Sequence, residues 1–254
     1  MMKFSAFFFF LSTVTIHGSY ASYSEDIAKN KLLPMSAAAY SNSSVNACLN
    51  NTFKNAQLIN KYKTGFLDPH TAISVISNDD RAIIIAFGGS SIFTDLVLVD
   101  SQPYFGNKTQ FIGGGNLTGH NIGGSFASIT AAYVLKLGFY TSSQVLLYTF
   151  GQPRTGDNAF AIAHDQLLGA SSYRITHRQD PIPHVPQKTD DGYYHHENEI
   201  FYNNNMTTGE GYAECDADES SSCSDGNLFD LSIDDHRHYF NVEVAKFGSA
   251  GCKN

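Results

Sequence analysis

Short apolar runs and longer helical patterns alternate along the chain. Two β-rich runs at residues 72–76 and 82–87 flank "NDD", which predicts a hairpin. The "IIIAF" of the second run has no polar alternation, so we expect burial on both faces, as in a parallel sheet. The other predicted elements are helices at 36–53 and 125–137 and strands at 144–150, 171–177 and in "NEIFY". This alternation predicts a single α/β domain with a mostly parallel sheet.

Residues 1–21 predict a secretory signal peptide. Lys3 precedes an apolar run from Phe4 to Leu11, and small residues surround a cleavage site after Ala21. The domain is then expected to occupy residues 22–254. No later stretch resembles a membrane span, so we expect a soluble, secreted, extracellular protein. The net charge of −8 argues against a nucleic-acid partner.

The four cysteines are typical of an oxidising compartment, and three pairings are possible. Cys215 and Cys223 flank the polar loop "CDADESSSC"; a short bridge there would leave Cys48 and Cys252 to tie the N-terminal helix to the C-terminus. Zinc is the competing interpretation, but the chain has no C-x-x-C pair. Five N-x-[ST] sequons are glycosylation candidates and agree with secretion, at Asn42, Asn50, Asn107, Asn116 and Asn205.

The stretch "LTGHNIGGSFASITAAYVLKLG" contains a pattern close to that of a hydrolase nucleophile elbow. That sharp turn has the pattern G-x-S-x-G, and here Gly119 and Gly123 enclose Asn121 where the serine would stand. The glycines would let the backbone and the helix approach closely. The helix would direct its free N–H groups and positive dipole end at residue 121. By itself the pattern is equally compatible with simple helix packing.

Several segments together resemble the class 3 (fungal-type) lipase family, in the branch of secreted nematode lipase-like proteins. "TGHNIGGSFASITAAYV" resembles the family's T-G-H-S-L-G-G-A elbow, "IAFGGSS" its oxyanion segment and "YTFGQPRTGD" its T-F-G-x-P-R-x-G. "RITHRQDPIPHVP" resembles the stretch with the catalytic aspartate, and "HHENEIFY" and "DDHRHYF" resemble two late stretches, the second with the catalytic histidine. The resemblance implies an α/β-hydrolase fold and a carboxylic ester hydrolase of the triacylglycerol lipase type, associated with lipid metabolism.

The resemblance also implies roles for single residues. Asp180 would be the triad acid and His236 the general base, in the hydrolase order of nucleophile, Asp and His. Ser90 and the backbone N–H of Ile122 would be the oxyanion donors. His238 is a weaker candidate for the base. We expect no cofactor and no metal, since the family aligns the "HHENE" cluster with a strand, and we expect three further histidines to be structural or rim residues: His184, His195 and His196.

Two departures separate the chain from the family pattern. Asn121 has no readily removable proton and no strong oxygen nucleophile, although Asn tolerates the positive φ of such a turn. Before the elbow, the helix and most of the strand of the relatives are missing, which leaves little more than Leu117 and Thr118 of that strand. Divergence, an alternative transcript or an error in gene prediction would each explain this. We therefore expect Asn121→Ser alone to restore hydrolysis only feebly, because the elbow would be poorly fixed.

Three functions are left open by the sequence. A catalytically impaired lipase-like protein would bind a lipid or ester ligand and contact a lipid interface peripherally, as a monomer. A working ester hydrolase would need another nucleophile, for which Ser125 is the nearby candidate, one helical turn after Asn121. A structural or defence-related secreted glycoprotein would use the scaffold alone. A retained apolar cleft would favour the first function, and a filled cleft the third.

Overall fold

An eight-stranded sheet forms the centre of the protein in a computed structural model that describes residues 22–64, 70–89, 116–188, 192–227 and 231–253. The strands are β1 (Ala56–Thr64), β2 (His70–Ser77), β3 (Ala82–Phe87), β4 (Asn116–His120), β5 (Leu147–Phe150), β6 (Gly156–Asp157), β7 (Ser172–His177), β8 (Tyr193–Tyr194), β9 (Glu199–Tyr202), β10 (Ala213–Cys215), β11 (His238–Tyr239) and β12 (Val242–Glu243). The predicted signal peptide, Ser90 and Asn107 lie outside the described residues.

The helices precede the sheet, cross over between its strands and close the chain. They are α1 (Glu25–Ile27), a π-helical turn (Ala28–Leu32), α2 (Leu33–Tyr40), α3 (Val45–Thr52), α4 (Ile122–Lys136), α5 (Asn158–Leu168), α6 (Ile233–Arg237) and α7 (Val244–Ser249). Short 3₁₀ turns occupy Ser142–Gln144, Gly169–Ser171, Ile182–His184 and Ser224–Gly226. Within the ranges given above, no helix combines the length and apolar character needed to cross a membrane.

The large sheet has a parallel centre and antiparallel edges. Its strand order is β1-β2-β3-β4-β5-β7-β9-β10. Strands β3, β4, β5, β7 and β9 run parallel to their neighbours within this group, whereas the pairs β1–β2, β2–β3 and β9–β10 are antiparallel. The predicted α/β architecture with a mostly parallel central sheet is confirmed.

Helices pack on both faces of this sheet. Because successive side chains of a strand point to opposite faces, Ile84 and Ala86 of β3 belong to the core beneath α2 and α3. Ile85 and Phe87 pack instead against the core that contains buried residues of α4 and α5. The strand β4 lies between β3 and β5, so the turn at its end emerges near the middle of the sheet.

The predicted hairpin is confirmed, but the burial of its second strand is not as expected. β2 and β3 pair in antiparallel register on either side of the predicted turn. Only alternate residues of β3 are buried, and Ile83 is 42% exposed. Phe126 of α4 covers the far end of β3, where its ring centroid lies 6.2 Å from that of Phe87. The prediction of burial on both faces is therefore wrong for this strand.

The predicted helix at 36–53 is divided into α2 and α3. The polar sequence "SNSS" separates them, and Ser41 has the extended backbone angles φ −79° and ψ 137°. The Ser41 hydroxyl accepts a hydrogen bond from the Ser44 N–H at 2.8 Å. Serine side chains compete in this way with the helical hydrogen bonds of the backbone, which explains the break.

The strand before the elbow is longer than predicted. β4 has five residues, and four of them pair with β3 and four with β5. The reduction to little more than Leu117 and Thr118 is therefore wrong. Ladder hydrogen bonds on both sides extend the regular structure through Asn116 and His120, although the sequence before them is rich in glycine.

Two disulfides link the cysteines in the pairs that the sequence analysis favours. Cys48 of α3 is bonded to Cys252 after α7, across a sequence separation of 204. Cys215 is bonded to Cys223, across a separation of 8, and closes the acidic loop after β10. None of the four cysteines is free.

The described sequons differ in their exposure. Asn42, Asn50 and Asn205 are exposed, whereas Asn116 is half-buried within β4. Glycosylation requires an accessible acceptor, so the first three are the better candidates. Their modification stays a prediction.

Candidate active site

A tight turn joins β4 to α4 at Asn121. Its angles, φ 61° and ψ −138°, lie in a region that favours glycine. The Asn121 N–H donates to the Phe150 carbonyl at 3.0 Å, which ties the turn to β5. A Cβ on Gly119 would lie 2.1 Å from the Gly123 carbonyl oxygen, and one on Gly123 would lie 2.5 Å from that of Phe87. The strand and the helix thus pack as closely as the elbow pattern predicts.

Asp180 and His236 form a buried hydrogen-bonded pair beside this turn. His236 Nδ1 lies 2.9 Å from both carboxylate oxygens of Asp180. The Tyr239 hydroxyl donates to Asp180 Oδ2 at 2.7 Å, and the Ile182 N–H donates to Oδ1 at 2.8 Å. Burial by itself would raise the pKa of Asp180, but His236 and these two donors hold the pKa below its usual value. The carboxylate is therefore ionised, as the acid of a triad must be.

The Asn121 side chain lies between His236 and the backbone N–H of Ile122. Its Nδ2 is 3.0 Å from His236 Nε2, and its Oδ1 accepts a hydrogen bond from the Ile122 N–H. Because the amide oxygen must face the N–H group, the amide nitrogen faces the imidazole and donates to it. His236 Nε2 is consequently the acceptor, and the Nδ1 proton points at Asp180. This is the tautomer that a general base requires.

A second histidine supports the first. The rings of His120 and His236 stack with centroids 4.7 Å apart. His120 Nε2 donates to the His236 carbonyl oxygen at 2.8 Å, so His120 Nδ1 accepts from the Tyr40 hydroxyl at 2.6 Å. Burial, and to a lesser extent His236, lowers the pKa of His120 to about 3, which keeps its ring neutral.

The sequence analysis missed three members of this network, namely His120, Tyr40 and Tyr239. Two of them had a local signal, because His120 directly precedes the elbow residue and Tyr239 lies in the same "DDHRHYF" segment as the base. Tyr40 had none, since it comes from α2 and meets His120 across 80 residues of sequence. A contact of that separation leaves no trace in local periodicity.

The other predicted histidines do not join the Asp180–His236 pair. His238 Nδ1 contacts the Asp234 carbonyl oxygen at 2.8 Å and not the Asp180 carboxylate, which weighs against it as the base. His195 Nε2 donates to the Pro183 carbonyl at 2.6 Å. His184 Nδ1 lies 3.6 Å from the Asp225 carboxylate.

Ser125, the alternative nucleophile, belongs to another network. It is buried, and its hydroxyl accepts a hydrogen bond from the Thr155 hydroxyl at 3.0 Å. Its own donor contact is a long one of 3.5 Å to the Pro153 carbonyl. These partners lie on the segment after β5, so the Ser125 hydroxyl is directed away from His236.

Three features define an α/β hydrolase: the order of the strands in the sheet, the elbow after a central parallel strand, and the Asp–His pair on later segments. The solved lipase from Rhizopus microsporus var. chinensis has the same fold, with a TM-score of 0.66 and 23% sequence identity. The superposition covers 84% of this chain and 86% of that lipase.

Sequence comparison identifies the family within this class. Residues 115–189 match the family described as Lipase (class 3). The Caenorhabditis elegans protein Lipase ZK262.3 is 30% identical over 321 residues, which cover 99% of this chain and 90% of that protein. Secreted mono- and diacylglycerol lipase 1 of Fusarium solani is 46% identical over 70 residues, 28% of this chain and 20% of that protein. The chain belongs to the class 3 lipase family.

Proposed function

We propose that this chain is a secreted lipase-like protein that binds a lipid or ester ligand without appreciable hydrolysis. The observation that carries the proposal is the Asn121 amide, which bridges His236 Nε2 and the Ile122 N–H. Asp180 and His236, which we take as the acid and the base, lie beside it with the Nδ1 proton of His236 directed at Asp180, so we infer that Asn121 is sufficient to impair hydrolysis.

The amide cannot perform the step that a serine performs. A serine here would pass its proton to His236 Nε2 while its oxygen attacks an ester carbonyl. The Asn121 amide donates to the same nitrogen but offers no oxygen nucleophile of useful strength. What is left is binding and oxyanion stabilisation, which give only residual catalysis when a triad member is absent.

The amide also competes with a ligand carbonyl. The Ile122 N–H, an oxyanion donor by resemblance to the family, is already bonded to Asn121 Oδ1. An ester carbonyl would have to displace that oxygen before it could reach the donor. We therefore expect affinity to depend on the apolar chains of the ligand more than on its carbonyl group.

Other observations support secretion and weigh against the competing enzyme hypothesis. Two disulfides are typical of an oxidising compartment, and three described sequons are exposed. A hydrolase that uses Ser125 would need this hydroxyl near His236, but it is bonded to Thr155 instead.

We also propose that the chain lacks a segment of its relatives between β3 and the elbow. The alignment with the nematode lipase spans 321 positions, which exceeds the 254 residues of this chain. Sequencing the transcript across Gly115–Asn116 tests this proposal. An insertion there that encodes a helix, a strand and a serine would restore the enzyme interpretation and overturn both proposals.

The functional test is an assay of the secreted protein on short- and long-chain p-nitrophenyl esters, beside the binding of a fluorescent long-chain ester. We expect no turnover above that of the His236→Ala variant, and saturable binding by both proteins. Turnover that His236→Ala abolishes would contradict the impaired-enzyme proposal. Lack of saturable binding would contradict the ligand proposal and favour a scaffold role.

A further inference from the structure

A second cluster of buried histidines lies outside the active site, on α5 and on the segment between β8 and β9. The rings of His164 and His196 stack with centroids 3.7 Å apart and an angle of 17° between their planes. Both side chains are almost completely buried, at 0% and 1% exposure. Neither residue takes part in the Asp180–His236 network.

The nitrogen atoms of this histidine pair are poorly satisfied. Among the described residues, no hydrogen-bond partner exists for either ring nitrogen of His164 or for Nδ1 of His196. The remaining nitrogen, His196 Nε2, contacts the Ser128 hydroxyl at 2.9 Å and Gln152 Nε2 at 3.1 Å. Buried polar atoms without partners reduce stability, so such atoms call for a ligand, an ion or a water molecule.

Asp165 connects this histidine pair to a group of carboxylates. One ligand atom each of His164, His196 and Asp165 lies within 4.8 Å of the others, and the same holds for Asp165, Glu197 and Asp218. Carboxylates this close together concentrate negative charge, which a bound cation would offset.

The nearby cation does not cancel this charge through direct bonds to the carboxylates. Arg174 is buried, and its Nε donates to the His196 carbonyl oxygen at 2.8 Å. Its Nη2 donates to the Asp218 carbonyl oxygen at 3.2 Å. Both bonds go to the backbone and not to the carboxylates. Asp165 Oδ1 accepts a hydrogen bond from the Glu197 N–H at 2.8 Å and lies 3.8 Å from His164 Nδ1, so Asp165 already faces the histidine pair.

We propose that His164, His196 and Asp165 bind a zinc ion, with Glu197 or Asp218 as a further oxygen ligand. Two imidazoles and carboxylates are a zinc donor set, whereas calcium and magnesium prefer oxygen alone. This inference replaces the expectation of no metal. That expectation was based on His195, Glu197 and Glu199 beside His196, and it did not include the helix that supplies His164.

The ion would have a structural role, because His164, His196, Asp165 and one further carboxylate would fill four coordination positions. Zinc bonds of about 2.0–2.2 Å require the side chains to close in from their present spacing, by rotation of the stacked rings. The three carboxylates are only partly buried, which gives the ion a path from solvent. Through Ser128, the ion would connect α5 and the segment before β9 to α4, the helix that starts at the elbow.

The test is zinc binding by the full secreted chain after dialysis against a chelator. Calorimetry with ZnCl2 should give one site per chain, Co2+ should give a visible absorption band, and the melting temperature should rise with zinc concentration. His164→Gln and Asp165→Asn should each weaken zinc binding by more than about 100-fold, since changes even beyond the ligands cost 10–100-fold. The matched control His238→Gln, at a half-exposed histidine, should bind as the unchanged chain does.

Two results would overturn the inference. One is the absence of zinc binding by the unchanged chain; the other is binding that neither His164→Gln nor Asp165→Asn weakens. If His164→Gln fails to fold, Asp165→Asn and Glu197→Gln at partly exposed positions decide the question. Because the readouts are binding and melting temperature, the outcome does not depend on esterase activity or on the proposed function.

Discussion

The two buried histidine clusters differ in how far their polar atoms are satisfied. Around His236, both ring nitrogens have partners, and so do both nitrogens of the stacked His120. In the His164–His196 pair, three of the four ring nitrogens have no hydrogen-bond partner in the described part of the chain, and one of them lies 3.8 Å from Asp165 Oδ1. The first cluster is a closed network in which Asn121 stands where chemistry would occur. The second is complete only with a ligand.

The largest expected effect is on hydrolysis, when Asn121→Ser replaces the amide in the His236 network by a hydroxyl. The hydroxyl would face His236 Nε2, and the Ile122 N–H would lose its present acceptor. Since β4 pairs on both sides, the elbow is fixed more firmly than the sequence suggests, so the reason for expecting a feeble revertant no longer holds. We expect p-nitrophenyl ester hydrolysis to rise by about 10³-fold or more.

Asn121→Ala is the matched control for this revertant. It removes the amide as well but supplies no nucleophile, so hydrolysis should stay at the background rate. Equal rates for the two variants would show that the loss of activity arises elsewhere, with the segment between β3 and the elbow as the first place to look.

A smaller effect is expected when the closed network loses one donor. Tyr239→Phe removes the hydrogen bond to the Asp180 carboxylate without changing the shape of the buried ring. Hydrogen bonds to charged groups contribute about 1.5–3 kcal/mol, so the free energy of unfolding in urea should fall by that amount. Tyr62→Phe, at a residue that is 56% exposed, should leave it unchanged. Equal losses in both variants would refute the special role of Tyr239.

The neutral His120 predicts a dependence of stability on pH. Its folded pKa of about 3 lies below the unfolded value of 6.5, so the unfolded state binds the extra proton between these limits. His120 alone should therefore make stability fall on acidification below about pH 6.5, by up to about 1.4 kcal/mol per pH unit. The groups that face this ring are His236, Asp180, Tyr40 and Tyr239.

The slope of the free energy of unfolding against pH is measured by denaturing the unchanged chain and His120→Gln between pH 4.5 and 7.5. This is roughly the range in which the histidine pKa matters. The variant should have a shallower slope, and identical slopes would exclude His120 as the source. Asp180 acts in a different window. The lowered pKa of its carboxyl stabilises the folded state above about pH 4. This stabilisation is lost as the pH falls through the pKa of the folded state, in the unchanged chain and in His120→Gln alike.

The smallest effect should come from the incomplete cluster. His164→Phe replaces the imidazole by a slightly larger aromatic ring and removes two nitrogen atoms that have no hydrogen-bond partner. In the presence of a chelator, the free energy of unfolding should change by less than about 0.5 kcal/mol or even rise, because no hydrogen bond is lost. A loss as large as that of Tyr239→Phe would mean that the two clusters do not differ as described.

The sequence predicted which residues meet at the candidate site better than it predicted the residues that support them, and the catalytic roles stay predictions. Asn121, Asp180 and His236 occur in distinctive local motifs in a fixed order, and the structure brings them together. The length of β4 was underestimated because its regularity comes from neighbouring strands. The break between α2 and α3 was missed because alanine-rich periodicity outweighed the serines between them.

The histidine pair shows a different limit of sequence reasoning. His195 and His196 are adjacent in sequence, but they bond to different elements, and only His196 meets His164. The strand position of Glu199 turns its carboxylate toward the Thr176 hydroxyl, 2.6 Å away. The cluster that matters is assembled from two elements 32 residues apart, which adjacency in sequence could not reveal.

The Cys48–Cys252 bond has a consequence for cleavage of the chain by a protease. It spans a separation of 204 residues, and Asn121, Asp180 and His236 all lie within that span. A single proteolytic cut between the two cysteines therefore yields two fragments that the disulfide holds together as one molecule. A nick between Asn121 and His236 would place the elbow and the imidazole on different fragments, yet reduction or a second cut would be needed to release them.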